Sequence, residues 1–154
     1  MHQLRKILVP IDFSTCSRVA LDRAAELAKS FGASVDLLHV WEAPAFVAPE
    51  AMVGVAGSSQ TLSQLAREHA ENAMRDFVSA AKEEGVNIGT SFVEQGDAAK
   101  TIVELADREG YDLIALGTHG RTGLAHLLLG SVAEKVVRRS SRPVLTVRER
   151  AESS

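Results

Sequence analysis

The residues of this chain with the clearest chemical meaning are three glycines and a serine. Gly117, Gly120, Gly130 and Ser131 spell G-x2-G-x9-G-S, between an apolar run at residues 113–116 and a helix that opens at Ser131. A glycine-rich strand-to-helix junction lets backbone N–H groups approach an anion, and the open amides and positive dipole end of the following helix favour negative charge. The chemistry this suits is phosphate binding, which makes a nucleotide the expected ligand class. Taken singly, each glycine reads equally well as a turn residue needed for positive φ. Spacing excludes two better-known loops: no glycine is followed by Lys, as a P-loop requires, and no G-x-G-x-x-G follows the first strand.

Other side chains carry two readings each. His119 and Arg121 lie inside the loop and are candidates for phosphate contacts. Arg121 would act through a permanently charged fork that bonds oxygens in pairs, or else stands as a solvated loop residue. Ser131 with Glu134 also matches an S-x-x-E capping box. Asp12 precedes a helix opening near Ser14 and Thr15, so capping is its plain explanation. His39 falls in a strand that should be buried and reads as a hydrogen-bonded core histidine. Cys16, the single cysteine, permits no internal disulfide and reads as a small buried residue rather than an activated thiol. His2, His69 and His126 lack partners at metal-ligand spacing, so neither a metal cage nor a catalytic set is expected. Lys135, Arg138, Arg139 and Arg142 form a basic run that reads as a solvated helix end complementing the dipole.

Strand-like and helix-like segments alternate, which predicts an α/β domain with a parallel sheet covered by helices on both faces. Strands are expected at residues 6–11, 35–41, 86–94, 111–116 and 144–147. The first helix, residues 15–30, carries Leu21, Ala24, Ala25 and Ala28 on one face and ends at Gly32. The second, residues 61–84, has Leu62, Leu65, Ala66, Ala73, Phe77 and Ala80 as its apolar stripe. The third is capped by Asp97, and the last runs over residues 131–140 until Pro143 forbids more helix. Residues 42–60 are rich in Ala, Pro, Gly and Ser without a period, longer than an ordinary connection, and read as a flexible insertion. One domain over residues 1–148 with a polar tail at 149–154 is the resulting organisation.

Composition narrows the class. The 154 residues are 45% hydrophobic and 24% charged with a net charge of −3, an ordinary globular balance. Nucleic acid is not an expected partner and no run is long enough to span a bilayer. The cytoplasm is the expected compartment.

With the glycine motif, the stretches Ile7-Leu8-Val9-Pro10-Ile11-Asp12, Leu37-Leu38-His39-Val40, Gly130-Ser131-Val132-Ala133 and Arg142-Pro143-Val144-Leu145 resemble the ATP-binding branch of the universal stress protein family over nearly the whole chain. The resemblance implies an open five-stranded, Rossmann-like sheet of order 3-2-1-4-5, similar to the adenine nucleotide alpha hydrolases. Ligands of such sheets lodge outside the carboxyl ends where the order reverses. It also implies ATP, with or without Mg²⁺. Pro10, Ile11 and Val40 would line an adenine slot and Asp12 would bond the ribose. The phosphates would run along Gly117, His119, Gly120, Arg121, Gly130, Ser131 and Val132. At Ala133, where many relatives carry a hydroxyl, only the backbone N–H would remain. The family further implies a homodimer paired through residues 144–147 and a nucleotide-dependent role in stress response, with the regulatory partner unnamed. The rival reading is a slow ATPase or nucleotidyl-transfer enzyme. Against it, the loop has no paired carboxylates and no positioned base beyond His119.

Overall fold

The computed structural model describes residues 3–43, 50–55, 58–119 and 129–150. Its elements in chain order are β1 (Lys6–Pro10), α1 (Thr15–Phe31), β2 (Ser34–Trp41), β3 (Met52–Val55), β4 (Ser58–Thr61), α2 (Leu62–Glu83), β5 (Ser91–Gln95), α3 (Ala98–Arg108), β6 (Leu113–Gly117), α4 (Ser131–Arg139) and β7 (Val144–Val147). Five strands form one parallel sheet in the order β5-β2-β1-β6-β7. This is the expected order, the labels being shifted by the small extra hairpin β3–β4.

Both faces of the sheet are covered, so β1 and β6 are apolar through their centres rather than alternating, and β2 from Val35 onward is apolar but for Asp36 and His39. Ile7 and Val9 of β1 pack on one side with Leu21 and Ala24 of α1 and Met74 of α2, while Leu8 packs on the other with Ile102 and Leu105 of α3 and Val136 of α4. Helix ends are locally specified. Ser14 caps α1 by accepting from the Ser17 amide at 3.1 Å, and Gly32, at φ 68°, ends it in a left-handed turn that glycine adopts without strain. Thr61 and Gln64 form a reciprocal capping box on α2. Asp97 caps α3 through the Lys100 amide at 2.9 Å, as expected.

Four expectations shift. Residues 86–90 do not join the third strand of the sheet: Ile88 is a buried core plug, the Gly89 amide bonds the Val35 carbonyl at 2.8 Å and the Thr90 amide bonds Asp36 at 2.7 Å. Tyr111 precedes β6 instead of opening it, its amide closing the end of α3 on the Ala106 carbonyl at 2.9 Å. On α2 the buried positions are Ala70, Met74 and Ala81 with Phe77 and Val78 partly covered, and Ala80 is exposed. Within the insertion read as aperiodic, β3 and β4 pair antiparallel, with Met52 opposite Thr61.

The amino end of the sheet is clipped by side chains. Asp112 accepts from the Arg5 and Lys6 amides at 2.9 and 3.0 Å. Asp36, buried in β2, accepts from the Tyr111 hydroxyl at 2.7 Å, and Lys6 Nζ lies 4.5 Å from the Tyr111 ring centroid.

Candidate functional site

At the opposite, carboxyl end, β1 and β6 are neighbours whose following helices depart to opposite faces, and a cavity of about 250 Å³ opens there. The end of β1 forms one wall. The Ile11 amide still bonds the Leu38 carbonyl at 2.8 Å, and the Ile11 carbonyl meets His39 Nδ1 at 2.7 Å. The chain then bends sharply at Phe13, whose φ of 64° is uncommon for a bulky residue. Its ring is held 4.4 Å from the His39 ring and edge-on to Phe77 at 5.9 Å. That bend leaves Asp12 lining the cavity. Asp12 is not the helix cap: it accepts from the Ser14 amide at 3.0 Å and from the Ser14 hydroxyl, and so braces the residue that does cap α1. His39 is half-buried and hydrogen-bonded, the core role expected of it.

The end of β6 forms the second wall. Gly117 has no positive φ, so the turn-glycine explanation fails for it. Its reason is packing: a Cβ there would stand 2.8 Å from Cys16 Sγ and 3.0 Å from the Cys16 carbonyl carbon and oxygen. Only glycine lets the first turn of α1 lie directly on β6. Cys16 itself is buried, with Sγ 3.4 Å from the Val147 carbonyl. Thr118, also buried, donates its amide to Val147 O at 2.9 Å and accepts from the Gly130 amide, while its hydroxyl lies 3.0 Å from His119 Nδ1.

The first turn of α4 closes the cavity. Gly130 is the N-cap residue at φ −68° and ψ 165°, with no side-chain cap hydrogen bond. The S-x-x-E capping box therefore does not form. Ser131 is one position too late to cap, inside the helix, and the Glu134 carboxylate instead pairs with Arg138 at 3.3 Å. A helix start that lacks a side-chain acceptor presents its amides to whatever occupies the cavity.

Ten residues singled out from sequence thus line one cavity: Pro10, Ile11, Asp12, Val40, Gly117, His119, Gly130, Ser131, Val132 and Ala133. Gly120 and Arg121 lie outside the described residues. Sequence reasoning missed Ser17, Leu38, Ala98, Ile102, Leu116 and Thr118 on the same lining. Leu38 was findable as the alternate neighbour of Val40, and Leu116 as the residue before Gly117. Ala98 and Ile102 share one face of α3 at i, i+4 but needed the fold to bring that face across. Among the described residues, no group of three or more His, Cys, Asp or Glu gathers as a metal site.

The sequence pattern of the universal stress protein family matches residues 3–148. The chain belongs to that family. It is 39% identical over 145 residues to universal stress protein MJ0531 of Methanocaldococcus jannaschii, covering 94% of this chain and 82% of that protein. The solved structure of MJ0577 from the same organism superposes with a TM-score of 0.74 at 27% identity, covering 98% of this chain and 100% of the other. A universal stress protein solved in complex with cAMP superposes with a TM-score of 0.67 at 26% identity, covering 96% and 98%. In this universal stress domain no described helix is long and apolar enough to cross a membrane.

Proposed function

We propose that this chain binds ATP in the cavity between β1 and β6 and works as a nucleotide-dependent regulatory module of stress response. One observation carries the reading: a single cavity has apolar walls at one side and the uncapped first turn of a helix at the other. A flat purine suits Pro10, Ile11, Leu38 and Val40, whose walls are apolar with backbone polar groups at their rims. Asp12 accepts from the ribose. The phosphates run along Gly117, His119, Gly130 and the amides of Ser131, Val132 and Ala133, with Gly120 and Arg121 supplying the loop between. Mg²⁺, reluctant to shed water, would ride on the phosphates rather than sit in a protein cage. The similar protein in complex with cAMP supports an adenine nucleotide as the ligand class.

Binding rather than turnover fits the ionisable groups of the described lining. Asp12 is the one carboxylate of that lining, so no carboxylate pair stands there to share acid and base roles. Regulation then works by differential affinity: occupancy favours one arrangement of the loop or of the segment at 42–60 and changes what the surface presents. The outer strand β7 pairs two copies, its open edge accepting its own twin.

Isothermal titration of ligand-stripped protein with ATP, ADP, AMP and cAMP, with and without Mg²⁺, tests the reading. Saturable heat with ATP is expected. Flat traces from folded protein reject it. Light scattering at several concentrations tests the dimer.

A further inference from the structure

Resting on the nucleotide reading, we propose that Arg148 supplies positive charge to the phosphate end of the cavity and biases the site toward polyphosphates over monophosphates and nucleosides. The described lining holds one carboxylate, Asp12, and no Lys or Arg. Helix amides offer partial charges only, so beyond Arg121 of the loop a ligand of several negative charges is favoured by any further cation within reach.

The strand register brings Arg148 to that edge. β7 runs parallel to β6 with Val147 opposite Gly117, and Thr118, which lines the cavity, donates its amide to the Val147 carbonyl at 2.9 Å. Arg148 leaves the sheet one peptide beyond that bond, on the side where the cavity opens. Alternation along the strand sets its face. Leu145 and Val147 pack with the α1 cluster and Val144 with the α3–α4 cluster. Position 148 therefore falls on the α4 side, the side on which Ser131, Val132 and Ala133 line the cavity.

Arg148 is exposed, and among the described residues it makes no ion pair. Of the neighbouring arginines, Arg142 is held by Asp107 at 3.1 Å and Arg138 by Glu134, Arg138 and Arg139 sit in the last turn of α4 at the far end from the cavity, and Arg150 lies two residues further from the sheet. Because the guanidinium stays in solvent, its effect is a screened one of modest size.

Titration of Arg148→Gln with ATP, AMP and adenosine at low and high salt tests the proposal, with a melting curve to confirm an unchanged fold. ATP affinity should fall about three- to fivefold at low ionic strength, the scale of one exposed charge pair. AMP should lose less and adenosine nothing, and the ATP loss should shrink as salt is added. Glu149→Gln, on the opposite face, shifts net charge by one in the other direction and should leave ATP affinity unchanged. Equal losses for ATP and adenosine, a gain in Glu149→Gln as large as the Arg148→Gln loss, or unchanged ATP affinity in Arg148→Gln would each overturn the role of Arg148. Wild-type protein that binds no adenine compound would instead remove the nucleotide reading beneath it.

Discussion

The two ends of the central sheet are built by opposite means. At the amino end long side chains close on one another: Asp36 takes the Tyr111 hydroxyl and the Thr90 amide, Asp112 takes two amides of the β1 approach, and Lys6 covers the Tyr111 ring while donating to the Glu109 carbonyl at 2.8 Å. At the carboxyl end the joints are main-chain and the residues small. Gly117 lies against Cys16, Gly130 starts α4 without a side-chain cap bond, and Thr118 ties both to Val147 through its own peptide groups. Among the described residues no buried side-chain polar atom lacks a partner, so the contrast is one of what the polar groups face. At one end they face each other, and at the other they border a cavity. Substitutions should therefore divide into those that change melting but not affinity and those that do the reverse.

The sharpest break is expected at Gly130. Its backbone, at φ −68° and ψ 165°, accepts any residue, so Gly130→Glu should fold. Its carboxylate, however, would stand at the positive end of α4, where the phosphates are placed. ATP affinity should drop about a hundredfold or more, roughly 3 kcal/mol, with the melting temperature within a few degrees of wild type. Calorimetry and a thermal scan on the same sample check both halves, and an affinity within threefold of wild type would remove α4 from the phosphate site. Gly117→Ala should hurt both properties, because its Cβ forces the first turn of α1 away and carries Asp12 and Ser17 with it. Denaturant unfolding should show a loss of about 1–3 kcal/mol, the scale of overpacking. Adding Cys16→Ala should restore only part of that loss, since the contact with the Cys16 carbonyl remains.

The same contrast explains what could be read from sequence. The inner strands were legible because burial on both faces writes itself as apolar runs at residues 7–9 and 113–116, and at 35–38 with Asp36 as the one interruption. Glycine spacing and strand ends located the cavity because these are local in the chain. Residues 86–90 misled because Val86 and Ile88 alternate like a strand, although only the Gly89 amide and the Thr90 carbonyl reach the β2 backbone and the Thr90 amide goes to the Asp36 side chain, so that regular pairing with β2 begins at Ser91. On α2, candidates for burial recur on both sides of the true stripe, so Ala80 and Ala81 could not be told apart without knowing which strands lie beneath. The hairpin β3–β4 escaped because a strand of Ser, Ser, Gln and Thr has no apolar alternation. Ser17 reaches the cavity from α1, Ala98 and Ile102 from α3 and Thr118 from the turn after β6, and only the assembled topology brings them together.

At the amino end, Tyr111→Phe should show the reverse pattern to Gly130→Glu. Removing the hydroxyl leaves the buried Asp36 carboxylate with one fewer donor, a cost of roughly 1–2 kcal/mol, while ATP affinity stays within twofold. Alkaline pH supplies an independent check. Burial first, and then its bond to the Asp36 carboxylate, push the Tyr111 phenol well above its ordinary range. A group whose folded pKa is raised contributes stability that is complete below its unfolded pKa, about 10 for tyrosine. That contribution is lost as pH climbs from there toward the folded value. Urea midpoints measured across the alkaline range should fall more steeply for wild type than for Tyr111→Phe, and identical slopes would mean that the phenol is not part of the clip.

The smallest effect is expected at Asp107, which tests whether place or burial makes the amino end what it is. Asp107 closes α3 at the same end of the sheet, accepting from the Ser141 hydroxyl at 2.6 Å and from Arg142 at 3.1 Å, yet it is exposed. Those bonds, the Ser141 hydroxyl foremost and the Arg142 guanidinium next, lower its pKa below the ordinary carboxylate value. A depressed folded pKa means that its contribution is present above the unfolded value of about 4 and is lost as pH falls through the folded one. Asp107→Asn keeps an acceptor for Ser141 and removes only a solvent-screened pairing with Arg142. Its melting temperature at pH 7 should be indistinguishable from wild type, with a slight flattening of the acid slope as the only trace. If instead Asp107→Asn destabilises the protein as much as Tyr111→Phe, burial is not what gives the amino end its strength, and any polar bond there would count equally.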